Sequence, residues 1–497
     1  MTETLNVDIC VIGAGSGGLT VAAGAAQMGA MVALVEKGKM GGDCLNYGCV
    51  PSKALLAAGH AAHDMRRAGR FGVIGPEPEI HSDGVYGHVH GVIKAIEPND
   101  SVERFEGLGV KVIKAEARFT GRGEIEAGDT RIAARRFVVA TGSSPFVPPI
   151  PGLDGAGFHT NETIFDAGSL PDHLIVIGGG PIGIEMAQAH RHLGARVTVL
   201  EMFTVMPKDD PELVGVVRRQ LARDGIDIRE GVNIKSVEKT PEGVAVHLES
   251  GRETSGESGG EAGGEVGGKD DGKAGEKKTI EGTHVLVAAG RRANVQGLDL
   301  DKAGIRFSDK GIEVDARLRT SNKRVFAIGD VTGGLQFTHV AGYHAGIVLK
   351  NALFRWPAKA DTRAVPWVTF TAPELAQVGM TEAEAKKSHA HIRILRWPYH
   401  ENDRAQAEGA IDGMVKAVVT PRGHILGCGI VGESAGELIQ TWVLAMNQKM
   451  KIGALARMVA PYPTLGEVSK RAAGSFYTAS LFSERTRKIV RFLRRFG

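Results

Sequence analysis

The chain has 497 residues, 42% of them apolar, and a formal net charge of +3. That length suggests about three domains, and so small a charge argues against nucleic-acid binding. Four cysteines, at 10, 44, 49 and 428, do not make a secreted disulfide scaffold, no apolar run reaches the roughly 18 residues of a membrane span, and the opening Met1-Thr-Glu-Thr-Leu-Asn-Val-Asp8 is acidic where a signal peptide is basic; a cytoplasmic location is expected.

Residues 7–12 form a short apolar run around Asp8, which predicts a buried parallel strand. Gly13-Ala-Gly15-Ser-Gly-Gly18 follows at once, then a helical stretch over 19–28 and a strand over 31–35 ending at Glu36. A glycine triplet between strand and helix, with an acid about 20 residues on, is the context a dinucleotide site requires. The glycines let the backbone approach a pyrophosphate, and Glu36 can accept a hydrogen bond from a ribose hydroxyl.

The stretch Gly41-Gly-Asp-Cys-Leu-Asn-Tyr-Gly-Cys-Val-Pro-Ser-Lys53 comes next. A regular helix would hold the Cα atoms of Cys44 and Cys49 more than about 7 Å apart, beyond the reach of a disulfide. A bridge there needs a tightened or irregular turn, which Gly48 makes easy to adopt. Pro51 suits the first turn of a following helix. A thiolate at Cys49 would sit near that helix's positive end, with Lys53 close by. On these residues alone the pair reads as redox-active thiols, as buried structural cysteines or as half of a zinc site.

Helices are expected over 54–68 and 91–108, then a short antiparallel excursion over 110–129 and a strand ending in Ala140-Thr-Gly142. A second fingerprint, Gly178-Gly-Gly180-Pro-Ile-Gly183, lies between a strand over 174–177 and a helix over 184–192, and the next strand ends at Glu201. Two complete fingerprints imply two dinucleotide sites, the layout of hydride transfer between cofactors. Glu201 favours a free 2′-hydroxyl and repels a 2′-phosphate, so NADH is expected over NADPH. Residues 251–275 are rich in Gly, Glu, Ser and Lys and predict a disordered insert, about 251–278. The fold resumes at 285–290 and leaves through Gly290-Arg-Arg-Ala-Asn294.

The last 14 residues place Ile489, Phe492, Leu493 and Phe496 at helical spacing among Arg485, Arg487, Lys488, Arg491, Arg494 and Arg495. Such a basic amphipathic helix suits an anionic lipid surface, and equally a docked or solvated terminus.

The Cys44–Cys49 stretch resembles the active-site motif of the class I pyridine nucleotide–disulfide oxidoreductases, the family of dihydrolipoamide dehydrogenase and mercuric reductase. The resemblance extends to Ala140-Thr-Gly142, to Val325-Phe-Ala-Ile-Gly-Asp330 with Phe337-Thr-His-Val-Ala341, and to Phe370-Thr-Ala-Pro-Glu-Leu-Ala-Gln-Val-Gly379. It implies an α/β fold with two Rossmann-like domains, for FAD and NAD, and a C-terminal α+β dimerisation domain. The expected limits are 1–150 and 284–350 for the FAD domain, 151–283 for the NAD domain, 351–475 for the dimerisation domain and 476–497 for the tail. It further implies a redox disulfide beside FAD, with Cys44 as the interchange thiol and Cys49 as the thiol at the flavin. Glu185 is implied to pair with Lys53 near the flavin, and Thr141, Gly142 and Asp330 to bind FAD. For His339 a packed helix-start histidine is expected as readily as a chemical role.

The sequence departs from the family in one place. Disulfide-reducing members usually carry His-Pro-Thr and then an acid, which serve the partner subunit's thiols; here the words are Tyr462-Pro-Thr-Leu-Gly-Glu467. Tyrosine, with an ordinary pKa of about 10, is a poor base at neutral pH but still a hydrogen-bond donor. Mercuric reductases resemble this chain in having tyrosine there, but also carry a C-terminal cysteine pair that this chain lacks.

The expectation is thus a homodimeric FAD enzyme that passes electrons from NADH through Cys44–Cys49 to a small disulfide, in the manner of dihydrolipoamide dehydrogenase. A mercuric reductase-like metal-ion reductase and a quinone reductase are the enzyme alternatives, and a flavin redox sensor is the non-enzyme one. No resident metal is expected.

Overall fold

The computed structural model describes residues 4–249 and 279–496; the expected disordered insert lies outside them. The run around Asp8 becomes the strand Thr4–Ile12, the centre of a sheet whose other central strand is Thr130–Val139. Val32–Glu36 and then Val110–Lys114 add in parallel on one side. Thr130–Val139 is long enough to be shared on its other side. Its first half pairs antiparallel with Glu124–Ala127, and its last three residues pair parallel with Val325–Ala327, a strand from much later in the chain. Aliphatic side chains fill both faces of the two central strands, as befits strands buried on both sides.

The expected antiparallel excursion over 110–129 is corrected by this register. Its first part, Val110–Lys114, is a parallel edge strand of the main sheet, and only Ala117–Gly121 and Glu124–Ala127 form the antiparallel ribbon. An edge strand exposed on one face alternates buried and exposed residues whether it runs parallel or antiparallel, so the pattern alone misleads. The helix expected over 91–108 also differs. It begins at Ser82, ends at Ile96 and resumes over Val102–Gly107. The single turn between, Glu97–Asp100, contains Pro98, which cannot continue the preceding helix.

The second fingerprint belongs to a separate parallel sheet in the order Asp227–Arg229, Arg196–Leu200, His173–Ile177 and His284–Val287, flanked by an antiparallel three-stranded sheet. Pro366–Thr369 opens a five-stranded antiparallel sheet covered by the Ala435–Asn447 and Glu467–Leu481 helices. This last unit is fastened to the second parallel unit by Lys416. Its ammonium, on a side chain only 5% exposed, lies 2.8 Å from carboxylate oxygens of Asp210, Glu212 and Glu382. A lysine so buried needs such a ring of acids to stay charged.

Candidate active site

The two glycine loops are built alike, residue for residue. Gly13 and Gly178 take φ values of +104° and +113°, where a Cβ on either would strike a carbonyl of the neighbouring strand turn, that of Ala140 or of Ala288. A Cβ on Gly18 or Gly183 would strike the carbonyl of Gly13 or Gly178, so these glycines let the helix pack against its strand. A Cβ on Gly15 or Gly180 would meet nothing, because both face a shared cavity of about 2100 Å³. Pockets for a single small molecule run to roughly 1,000 Å³; this one has the room and both backbone cradles for two dinucleotides.

The acid at the end of each second strand closes its loop. Glu36 accepts from the amides of Ala14 and Gly38, at 2.6 Å each. Glu201 accepts from those of Gly179 at 2.6 Å and Phe203 at 2.9 Å. Both carboxylates line the cavity, each with oxygen lone pairs left for a ribose hydroxyl.

Cys44 and Cys49 sit on this cavity between the loops. The helix Gly42–Asn46 stops at Tyr47, Gly48 takes φ −119° and ψ −115°, and the helix Cys49–Arg67 starts anew. That interruption is the irregular turn expected from the spacing. A Cβ on Gly48 would stand 2.9 Å from Asp43 Oδ2 and 3.0 Å from the Asp43 carbonyl, so a larger residue there would have to shift the Asp43 turn. The cysteines are unbridged here, a dithiol. Cys49 accepts a hydrogen bond from Cys44, which outweighs its burial; with help from Thr338 and the Lys53 charge, its pKa falls to about 6. The Cys44 thiol moves strongly upward for the converse reasons, the hydrogen bond to Cys49 and burial. Thr338 Oγ1 lies 3.4 Å from Cys49 Sγ. The reduced pair is therefore one thiolate, at the first residue of a helix, and one thiol.

One turn along that helix, Lys53 Nζ lies 2.7 Å from Glu185 Oε2 and 4.4 Å from the centroid of the Phe370 ring. Glu185 is buried, and its other oxygen accepts from the Phe370 amide at 2.9 Å. The pairing implied by the resemblance is present in the geometry.

Beside the Gly42–Asn46 helix the Asp330 carboxylate accepts from Ser143 Oγ at 2.6 Å, which in turn accepts from Arg291 Nε at 2.7 Å. Arg291 also pairs with Asp43 at 3.1 Å, and Asn161 bonds Asp43 at 3.1 Å. Burial raises the Asp330 pKa against the pull of Ser143 and Arg291. Thr141 and Asn294 exchange hydrogen bonds of 2.8 and 3.0 Å, with Gly142 at φ +68° and Gly290 at φ +120° beside them. Sequence reasoning singled out Thr141, Gly142, Asp330 and Gly290 but missed Ser143, Asn161, Arg291, Asp43 and Thr338. For Arg291 the sequence offered only its place directly after the Gly290 exit; its burial is visible only in the fold.

His339 is exposed on the rim of the same cavity, where its ring stacks on Phe337 and Nε2 meets the Pro366 carbonyl at 2.8 Å. Tyr462 and Glu467 stand apart from the Cys44–Cys49 cavity of their own chain. Tyr462 is 71% exposed, and its hydroxyl donates to Asp403 at 2.9 Å rather than to Glu467, which starts the helix ending at Leu481. The Asp403 carboxylate pushes the tyrosine pKa up.

Two dinucleotide cradles meeting at a thiol–thiolate pair define a flavin- and nicotinamide-linked oxidoreductase. The family model for pyridine nucleotide-disulphide oxidoreductases matches residues 7–345, and the model for their dimerisation domain matches residues 365–473. The chain belongs to this family, whose members contain FAD and depend on NAD(P)H. It is 33% identical over 490 residues to a dihydrolipoyl dehydrogenase of Thermus scotoductus, covering 95% of this chain and 98% of that one. It is 31% identical over 472 residues to a mercuric reductase of Bacillus cereus, covering 94% and 71%. Among solved structures it resembles LpdA from Mycobacterium tuberculosis, with a TM-score of 0.82, 28% identity and coverage of 94% and 99%. It also resembles a Cu(II) complex of the HOCl-induced flavoprotein disulfide reductase RclA from Escherichia coli, with a TM-score of 0.80, 25% identity and coverage of 95% and 99%. The expected family, fold class and FAD are thereby borne out, and the dimerisation domain supports a homodimer. No helix among the described residues is long and apolar enough to cross a membrane.

Proposed function

We propose that the protein is an NADH-dependent disulfide oxidoreductase that passes electrons through Cys44–Cys49 to an acceptor, in the manner of dihydrolipoamide dehydrogenase. The observation that carries this is the reduced pair itself, a thiolate at Cys49 and a thiol at Cys44 on a cavity shared by both glycine loops. When bound, the flavin and the nicotinamide supply the hydride chemistry.

The chain's own residues do the rest. Reducing the Cys44–Cys49 disulfide takes two electrons and one proton and leaves a thiolate and a thiol. Cys49 keeps the negative charge, held by Cys44, Thr338 and the nearby Lys53 cation. Glu185 fixes Lys53, so that cation cannot turn away to solvent. Cys44 carries the proton and, in this reading, is the sulfur that meets an acceptor. A disulfide acceptor is cleaved when the Cys44 sulfur attacks it and the Cys44 proton passes to the first leaving thiolate; the Cys49 thiolate then attacks the Cys44 sulfur, which re-closes Cys44–Cys49 and expels the second product as a thiolate that needs a proton from another group. With the cofactors bound, Glu36 and Glu201 would each accept from a ribose hydroxyl, and Asp330, fixed by Ser143 and Arg291, would hold the ribityl or phosphate part of FAD.

A second reading is favoured by Tyr462. With a hydroxyl tied to Asp403 and a raised pKa, it is a poor proton relay for a departing thiolate. A quinone, or a metal ion bound by the thiolates, has less need of that relay. The exposed terminal helix Glu484–Leu493 further suggests contact with an anionic membrane surface.

NADH oxidation by the FAD-loaded protein, screened against lipoamide, glutathione disulfide, quinones and mercuric ion, tests the proposal. Turnover with a disulfide supports the first reading, and turnover with only a quinone or a metal ion supports the second. Failure with every acceptor would overturn both in favour of a redox sensor.

A further inference from the structure

The helix that begins at Cys49 carries in its second half histidines that the proposed chemistry does not use. His60 and His63 lie one turn apart on it, His192 is the last residue of the Pro181–His192 helix, and Asp224 caps the Pro211–Arg223 helix. One ligand atom each of His63, His192 and Asp224 lie within 4.8 Å of one another, and among the described residues this is the one such group of three or more His, Cys, Asp or Glu. The His192 and Asp224 side chains are 3% and 5% exposed, with His192 Nε2 at 3.2 Å from Asp224 Oδ2. The His63 ring stacks on that of His192, with centroids 4.0 Å apart.

Two features mark the cluster. His192 Nδ1 and the neighbouring His60 Nε2 are buried without any hydrogen-bond partner, as is Nε2 of the core residue His190, whereas buried polar atoms are nearly always satisfied. Asp224, moreover, is oriented from behind, its two oxygens accepting from Gln188 at 2.8 Å and Gln220 at 2.7 Å. Carboxylates held in this way are typical of metal sites, where outer partners fix the ligand. Two imidazoles and a carboxylate are a donor set suited to zinc.

We propose that His63, His192 and Asp224 bind a divalent transition metal, best matched by Zn²⁺, and that the ion clamps the helix of Cys49 and Lys53 to the helix of Glu185. Ligand atoms in a tetrahedral zinc site stand about 3.3 Å apart; His192 and Asp224 already stand 3.2 Å apart, so His63 closes in by up to about 1.5 Å from a limit of 4.8 Å, and the ion takes the place of the His192–Asp224 hydrogen bond. His63 is half-buried and free to make that movement. Arg67, which meets His63 at 3.2 Å, is an exposed side chain that can swing into solvent. Water completes the fourth position. Gly59 belongs to the same arrangement: a Cβ there would stand 3.1 Å from the Ala189 carbonyl, so the two helices approach closely enough to share an ion.

The test uses the full-length, FAD-loaded chain carrying Cys44→Ser and Cys49→Ser, which removes the competing thiols. Titration with Co²⁺ should give visible ligand-field bands that saturate at one ion per chain and are displaced by Zn²⁺. The affinity should fall at least about tenfold in His63→Ala and in Asp224→Asn. Zn²⁺ should raise the melting temperature of the parent and leave that of His63→Ala unmoved. His63 is half-buried, so its replacement preserves the fold, which FAD retention verifies. Absence of saturable binding, more than one equivalent without saturation, or an affinity unchanged in His63→Ala would overturn the proposal.

Discussion

Lys53 and Glu185, 132 positions apart in the chain, form an ion pair of 2.7 Å behind Cys49. The pair joins the helix that presents the thiolate to the helix of the second glycine loop. Lys53 lowers the Cys49 pKa and Glu185 raises it, so the two can be tuned in opposite directions. In the two-electron-reduced, FAD-loaded enzyme the Cys49 thiolate should give a long-wavelength charge-transfer band, present above about pH 6 and lost as the pH falls through that value. Lys53→Met removes a favourable cation and should move this titration upward by about one unit or more. Glu185→Gln should move it downward, and Cys49→Ser should abolish the band while FAD stays bound. A band that persists in Cys49→Ser would reverse the roles given to the two cysteines.

Glu201 holds the second glycine loop through the Gly179 and Phe203 amides and leaves its outer face to a ribose. Its charge should set the nucleotide preference. In steady-state kinetics the parent should favour NADH, and Glu201→Arg should shift the ratio of kcat/KM toward NADPH by about tenfold or more, as a repelled 2′-phosphate gains a cation. A parent enzyme that already prefers NADPH refutes this.

Tyr462 should limit turnover with disulfides. Well-tuned acid–base groups contribute about 10²–10⁴-fold, and a tyrosine whose pKa is raised by Asp403 supplies little of it. Weak lipoamide reduction is expected in the parent, with a gain of about tenfold or more in Tyr462→His near pH 7–8, where a histidine can act in both directions. Tyr462→Phe should change little. Parent turnover of roughly 10² s⁻¹ or more with lipoamide would count against the idea.

The helix Glu484–Leu493 buries no residue, and Ile489, Val490, Phe492 and Leu493 are each about half exposed beside Arg487, Lys488 and Arg491. The full chain should co-sediment with vesicles containing anionic lipid, less so as salt rises, whereas a chain ending at Phe482 should remain in the supernatant. Equal behaviour of the two chains would remove the membrane reading.

Much of the site was legible in the sequence because its parts are local. Each glycine loop and its acid occupy about 25 consecutive residues, and the break at Gly48 follows from the spacing of two cysteines. What escaped was assembled across distance. Arg291 reaches Ser143 and Asp43, Thr338 reaches Cys49, and Tyr462 reaches Asp403, each pair brought together only by the tertiary fold. The histidines at 60, 63 and 192 read as unremarkable polar positions on two helices until packing set them against each other and Asp224. The direction of Val110–Lys114 was hidden for another reason: an alternating edge strand looks the same in either orientation.

The sharing of Thr130–Val139 has a consequence for how the protein is made. Phe137, Val138 and Val139 find their second neighbours only when Val325–Ala327 arrives, after the whole second glycine-loop unit has left the ribosome. At about 5–20 residues per second that delay is roughly 10–40 s. Through that interval the nascent chain presents a bare, apolar strand edge, a template for pairing with another chain. Fragments that end before Val325 should therefore be recovered as aggregates or in complex with chaperones, however well their first glycine loop is formed.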